Sequence, residues 1–256
     1  LHSTELAGVI AMAELMSGNQ KRARDAQRLA LRSPNDNVIA QAVDFRDAFG
    51  LALDTPKVVD ALSSSSEARL LQAWQDGELA GIETHSKAWH NEEPFSSRPI
   101  QLLSTLYAYS DDYDHAKRWI NAGLVTDPHD QGLLINLAFV QAREGSIEES
   151  TATLRKLRSL HGSAAEPFAK ATEGLIAYRQ ARFDDGDALY NDAVALFESA
   201  RRKSAGFCRL NQALWAFDAD HPRAEEIVKQ AQEALEKHTT ADSIMLLKMR
   251  AMTDVQ

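Results

Sequence analysis

The sequence predicts an all-α chain built from antiparallel helical hairpins, and three observations carry that reading. Alanine and leucine dominate, with 40 and 29 copies against ten valines and ten isoleucines. No stretch holds the strict apolar–polar alternation of a half-buried strand. A spaced pattern of aromatic, small and apolar residues returns along the chain, and such recurrence marks a repeat architecture. At 44% hydrophobic residues, the 256-residue chain can bury a sizeable core, which excludes wholesale disorder.

In chain order, Ala23 and Ala30 keep a seven-residue spacing and Pro34 closes the first unit. The unit from 36 to 62 is the weakest: Asp54-Thr55-Pro56 and the run Ser63-Ser64-Ser65-Ser66 shorten its second helix. It is the expected soft point of the array, and the serines read as a polar turn, with a hinge as the alternative. A weak copy follows at Leu79, Ile82, Ser86, Trp89 and Pro94. The clearest copy is Tyr113, Ala116, Ile120, Gly123 and Pro128; the same spacing returns at Ile147, Ser150, Leu154 and Leu157, with Gly162 in place of the proline. Phe183, Gly186, Tyr190 and Ala193 repeat it, and His221, Ala224, Val228 and Ala231 form a weaker version.

Ahead of the better copies, Ile100-Leu103-Tyr107, Leu134-Leu137-Val140 and Leu175-Tyr178 supply the apolar face of another helix. Short polar segments separate the paired helices: Ser17-Gly18-Asn19, Ser110-Asp111-Asp112, Glu144-Gly145-Ser146 and Phe183-Asp184-Asp185. Unit starts therefore fall near residues 4, 36, 63, 97, 131, 167 and 205, and Met245, Leu247 and Met249 predict a capping helix from about 241. The physical logic is that a small residue lets two helices approach closely, while the large residue four positions on fills the gap to the next hairpin. Proline closes a unit because it cannot continue a helix.

Most successive starts lie about 34 residues apart, the tetratricopeptide period. Over nearly its whole length the chain resembles the tetratricopeptide repeat (TPR) family, best from 97 to about 203, where Gly174 resembles the family's first-helix glycine. The resemblance implies a right-handed superhelix of antiparallel helix hairpins, an α-solenoid of about seven units forming one domain. The missing initiator methionine reads as a piece of a longer chain. The related pentatricopeptide repeats read RNA, which needs a basic groove. Here 28 Lys and Arg face 37 Asp and Glu, a net charge of −9, so no nucleic-acid partner is expected.

Searching for chemistry yields no Gly-rich phosphate loop, no Gly-x-Ser-x-Gly elbow and no His-Glu-x-x-His pair. His85 and His90 lie five residues apart, off a common helical face; with Glu83, Glu92 and Glu93 they make a metal site only on paper. The acidic pairs Asp111-Asp112, Asp184-Asp185 and Glu92-Glu93 read as caps at helix starts rather than as the two carboxylates of a glycosidase. Trp74, Trp89, Trp119 and Trp215 could stack sugars in a helical carbohydrate-active enzyme, a minor alternative; Trp89 and Trp119 read as core. Cys208 is the only cysteine, which excludes an internal disulfide, and it reads as a small buried hydrophobe. Lys21-Arg22-Ala23-Arg24 and Arg201-Arg202-Lys203 read as solvated faces. No enzyme activity, catalytic residue, metal or cofactor is expected. No apolar run approaches about 18 residues, so no membrane insertion is expected, and with no leader in view the cytoplasm is the expected location.

The family resemblance implies that the first helix of each pair lines a concave groove for a peptide or protein. The first-helix residues pointing away from the core are then Trp74, Arg98, Gln101, Thr105, Asn136, Phe139, Arg143, Phe168, Tyr178 and Arg209. Guanidinium and amide groups suit a peptide backbone and carboxylates, and aromatics anchor apolar side chains. Packing between units is the competing role for Phe139, Phe168 and Tyr178. The family's carboxylate clamp is incomplete: Asn136 occupies one of its places, but Thr105 and Ala171 or Thr172 stand where Asn, Lys and Arg are required. The expected function is a protein-interaction scaffold, with a ligand- or peptide-sensing regulatory domain of a signalling protein as the alternative.

Overall fold

A computed structural model of the chain describes residues 4–45, 59, 62, 65–200 and 204–236. Among these there are thirteen α-helices and no strand: α1 Thr4–Met16, α2 Gln20–Ala30, α3 Asp36–Asp44, α4 Ser66–Asp76, α5 Leu79–Glu92, α6 Arg98–Tyr109, α7 Tyr113–Thr126, α8 Gln131–Glu144, α9 Ile147–His161, α10 Glu166–Arg179, α11 Phe183–Ser199, α12 Ser204–Asp218 and α13 Ala224–Glu236. One 3₁₀ turn, Gly162–Ala164, joins α9 to α10. The chain divides into two compact units, Leu1–Pro94 and Phe95–Gln256. The second helix expected between 45 and 65, the basic run 201–203 and the capping helix from about 241 lie outside the described residues.

The helices form side-by-side pairs, α1 with α2, α4 with α5, and so on to α12 with α13. In the second unit, α6, α8, α10 and α12 each also pack against the next of their own kind. The small positions of the recurring pattern do lie where helices meet. Ala23, Ala116 and Ser150 are fully buried, as are the large Ile120, Leu154 and Tyr190 to within 1%. Two glycines face each other where α10 and α11 pack. A methyl on Gly174 would sit 2.7 Å from the Tyr190 ring, and one on Gly186 only 2.4 Å from the Tyr178 ring and 3.1 Å from the Gly174 carbonyl.

The turns inside the pairs share one geometry. The residue after each first helix or one place further on takes a left-handed conformation: Gly18, Gly77, Asp111, Gly145, Ala181 and Asp220, with φ from 52° to 91°. The following N–H then reaches the carbonyl five residues back: Asn19 to Glu14, Glu78 to Ala73, Asp112 to Tyr107, Ser146 to Gln141, Arg182 to Ala177 and His221 to Ala216, all at 2.8–2.9 Å. This is a Schellman closure, which satisfies helix-end carbonyls that would otherwise have no partner. It corrects one boundary: the turn between α10 and α11 is Gln180-Ala181-Arg182, and Phe183-Asp184-Asp185 is already the first turn of α11. Ala181 holds its left-handed φ without the short polar side chain that eases that conformation for Asp. Ala181→Gly is therefore expected to raise stability by about 0.5–1 kcal/mol, read as a higher denaturant midpoint at unchanged slope.

The acidic pairs divide. Asp112 is the N-cap of α7, its carboxylate accepting from the His115 N–H at 3.2 Å, and hydrogen bonding to His115 holds it below the usual carboxylate range. Asp184 and Asp185 meet the positive end of α11. Glu92 and Glu93 stand at the C-terminal end of α5 instead of a helix start; Glu92 accepts from the Ser66 hydroxyl at 3.0 Å. The N–H groups of Glu67 and Ala68 at the start of α4 are capped from another helix, by Asp36 of α3 at 3.0 and 2.9 Å.

Candidate functional site

The second unit brings most of the sequence-predicted residues onto the adjoining first helices. Along α6, Arg98, Gln101, Leu102, Thr105 and Tyr109 recur at helical spacing; α8 answers with Ile135, Asn136, Phe139 and Arg143. The polar members are bonded to one another. Asn136 donates to the Gln101 carbonyl at 3.0 Å, to the Ser104 hydroxyl at 2.9 Å and to the Thr105 hydroxyl at 3.1 Å. Gln101 donates to Asp130 at 3.0 Å, and Asp130 in turn caps α8 through the Leu133 N–H at 2.8 Å. Asn136 and Gln101 thus hold α6 against α8; the apolar Leu102 on α6, Ile135 and Phe139 on α8 and Phe168 on α10 are half-buried.

Towards the C-terminal ends of α6 and α8 the same face is filled by the chain itself. The rings of Tyr109, Phe139 and Trp215 lie 5.5–6.3 Å apart, with Phe207 edge-on to Tyr109 at 6.1 Å. Tyr109 donates to the Asn211 side chain at 2.7 Å, joining α6 to α12 across 102 residues of sequence. Arg143 completes this closure. Its guanidinium lies 3.9 Å over the Trp215 ring, donates to the Tyr113 hydroxyl at 3.1 Å and pairs with Asp218 at 2.5 Å and Asp111 at 3.5 Å. The Arg143 side chain is only 8% exposed. Burial and the hydrogen bond to Asp111 push the Tyr113 phenol up to about 12.

The remaining predicted residues are placed otherwise. Tyr178 is buried, its hydroxyl donating to Asp187 and accepting from Gln212 at 3.2 Å. Arg223 donates to the same carboxylate, and the buried His221 ring packs edge-on against Phe183 at 4.7 Å, its Nε2 lying 3.4 Å from Asp187. Phe168 packs edge-on against Phe197 of α11 at 4.9 Å, and Arg209 pairs with Glu198 at 3.6 Å. Trp74 lies half-buried in the first unit. Arg98 is exposed. Cys208 is 2% exposed and burial pushes its thiol up to about 12, the environment of a packed hydrophobe and not of a nucleophile.

Sequence reasoning missed two groups, the ring cluster of Tyr109, Phe207 and Trp215 with Asn211 and Asp218, and the Asp187–His221–Arg223 network. The available signal was that Tyr109 and Trp215 both lie on first helices. Nothing local says that helices three pairs apart come into contact. Among the described residues no three His, Cys, Asp or Glu side chains gather as a metal would require, and no helix is long and apolar enough to cross a membrane. In comparison with known proteins, the chain matches no family model and no curated relative.

Proposed function

We propose that the chain is a protein-interaction scaffold of the tetratricopeptide kind, a right-handed superhelix of about seven helix pairs, binding a peptide or protein segment along the inner face of its first helices. The observation that carries the reading is the pair of half-buried apolar side chains Leu102 and Ile135, in the N-terminal halves of first helices already held together by Asn136 and Gln101. Surface fixed before a partner arrives loses little side-chain entropy on binding. The bound segment lies towards the N-terminal halves of α6 and α8, near Arg98, because rings occupy the space at their other ends. The six equivalent Schellman turns support the repeat.

A sensing role draws on a different observation. Arg143 ties α8 to Asp218 of α12, 75 residues on. A ligand carboxylate competing for that guanidinium would release the tie and change the curvature of the unit.

The test is affinity capture from source-cell lysate, followed by mass spectrometry, with the wild type and an Arg98→Glu/Ile135→Arg variant of unchanged circular dichroism. A protein retained by the first and lost by the second is the expected result. Retention of the same set by both would move the site off the inner face and sink the reading.

A further inference from the structure

The first hairpin carries a surface of different chemistry from the rest of the molecule. On α1, Leu6, Val9, Ile10 and Met16 are 57%, 65%, 46% and 84% exposed, and Ala13 lies exposed among them. Their spacing places all five on one side of the helix, opposite the buried Ala7, Gly8 and Ala11. From Leu6 to Met16 the stripe runs about 15 Å at helical rise. No charge interrupts it. The two carboxylates of α1 are engaged elsewhere, Glu5 by the Asn35 amide at 2.9 Å and Glu14 by the Asn19 amide at 2.7 Å.

Alongside lies a basic helix. The helix carries Lys21, Arg22, Arg24 and Arg28 against a single carboxylate, Asp25, and Arg32 follows in the turn, in a chain whose net charge is −9. Arg22 reaches Glu14 at 3.9 Å, which puts this cation at the border of the α1 face. Lys21, Arg22, Arg28 and Arg32 are exposed, and Arg28 pairs with Asp25 of its own helix at 3.7 Å.

We infer that the α1–α2 hairpin docks an acidic amphipathic helix of a partner protein, its apolar side on Leu6, Val9, Ile10 and Met16 and its carboxylates on the cations of α2. A convex row of aliphatic side chains takes another helix, ridge into groove, and gives an extended strand no edge to pair with. Arginine suits carboxylates, which its planar fork grips with two hydrogen bonds. Charge argues against the other occupants. The chain's own apolar stretch 243–252 contains Lys248 and Arg250 and no acid, so it repels α2. An anionic bilayer is opposed by the net charge, and the stripe has none of the Trp or Phe that interfacial helices use. The inference does not rest on the reading of the second unit's first helices.

The experiment is a fluorescence-anisotropy titration of the full chain against a labelled 14-residue helical peptide with leucines at i, i+3, i+4 and i+7 and glutamates elsewhere. The controls are the same peptide with lysine for glutamate, and vesicles of phosphatidylcholine and phosphatidylglycerol. Saturable binding of the glutamate peptide is expected, at least tenfold weaker for the lysine peptide, for Ile10→Asp and for Arg22→Glu/Arg28→Glu, and weaker again at high salt. These substitutions sit on exposed positions, and an unchanged denaturation midpoint separates lost binding from lost folding. Absence of binding would overturn the inference, as would equal affinity for both peptides, preference for the vesicles, or a dimer by light scattering that Ile10→Asp dissolves.

Discussion

Gly186→Ala is expected to destabilise the second unit by about 2–3 kcal/mol, the upper range for a group forced into a packed interface. The added methyl would lie 2.4 Å from Cδ1 of Tyr178 and 3.1 Å from the carbonyl oxygen of Gly174, so a ring and a backbone both stand in its way. The ring cannot swing aside cheaply, because its hydroxyl is held by Asp187 and Gln212 in a network that also engages Arg223. Separating α10 from α11 would loosen Tyr190 as well, itself 1% exposed. Gly206→Ala on α12 is the control. A methyl there meets nothing within 4 Å, and alanine's better helix propensity should raise stability by up to about 1 kcal/mol. Chemical denaturation followed by circular dichroism reads both, and equal effects at the two glycines would contradict the close approach of α10 and α11.

The second large effect is expected at Arg143. Arg143→Ala should lower stability by about 2 kcal/mol, and Arg143→Lys should recover less than half of that. The two carboxylates around it are 42% and 52% exposed, so ion pairing in itself contributes little. Most of the loss comes from the desolvated guanidinium stacked over Trp215 and from its hydrogen bond to Tyr113. Lysine keeps the charge but has no plane to lay on the indole. Amide exchange gives the local readout: α12, tied to α6 and α8 through Asn211 and Asp218, should exchange faster in both variants. A lysine variant as stable as the wild type would remove the stacking from the account.

The two replacements also show how much was legible in the residue pattern. Gly186 announces itself as the small residue of a recurring spacing and Gly174 through the family resemblance, and at both an added methyl would meet a tyrosine ring of the neighbouring helix. Arg143 was legible only as a first-helix residue turned away from the core. Its neighbours Trp215 and Asp218 lie 72 and 75 residues on, and no periodic pattern reports a contact at that distance. The same limit explains Tyr178: its place in the pattern does not say that Asp187, Gln212 and Arg223 converge on one buried point.

By itself, then, the sequence indicated an all-α chain of consecutive paired helices. Those depend on local physics: alanine and leucine favour helix, small residues admit a neighbour, and a glycine or aspartate supplies the left-handed turn residue in five of the six described turns, Ala181 in the other. The helix starts at Thr4, Asp36, Arg98, Gln131, Glu166 and Ser204 lie within one residue of those expected, and Ser66 within three. Only the tertiary structure decided which first-helix residues remain accessible. How far a stack of hairpins curls is set by small angles accumulated over several pairs. In the second unit they bring α6 to α12, so that Tyr109, Phe139, Arg143 and Trp215 meet and cover one another.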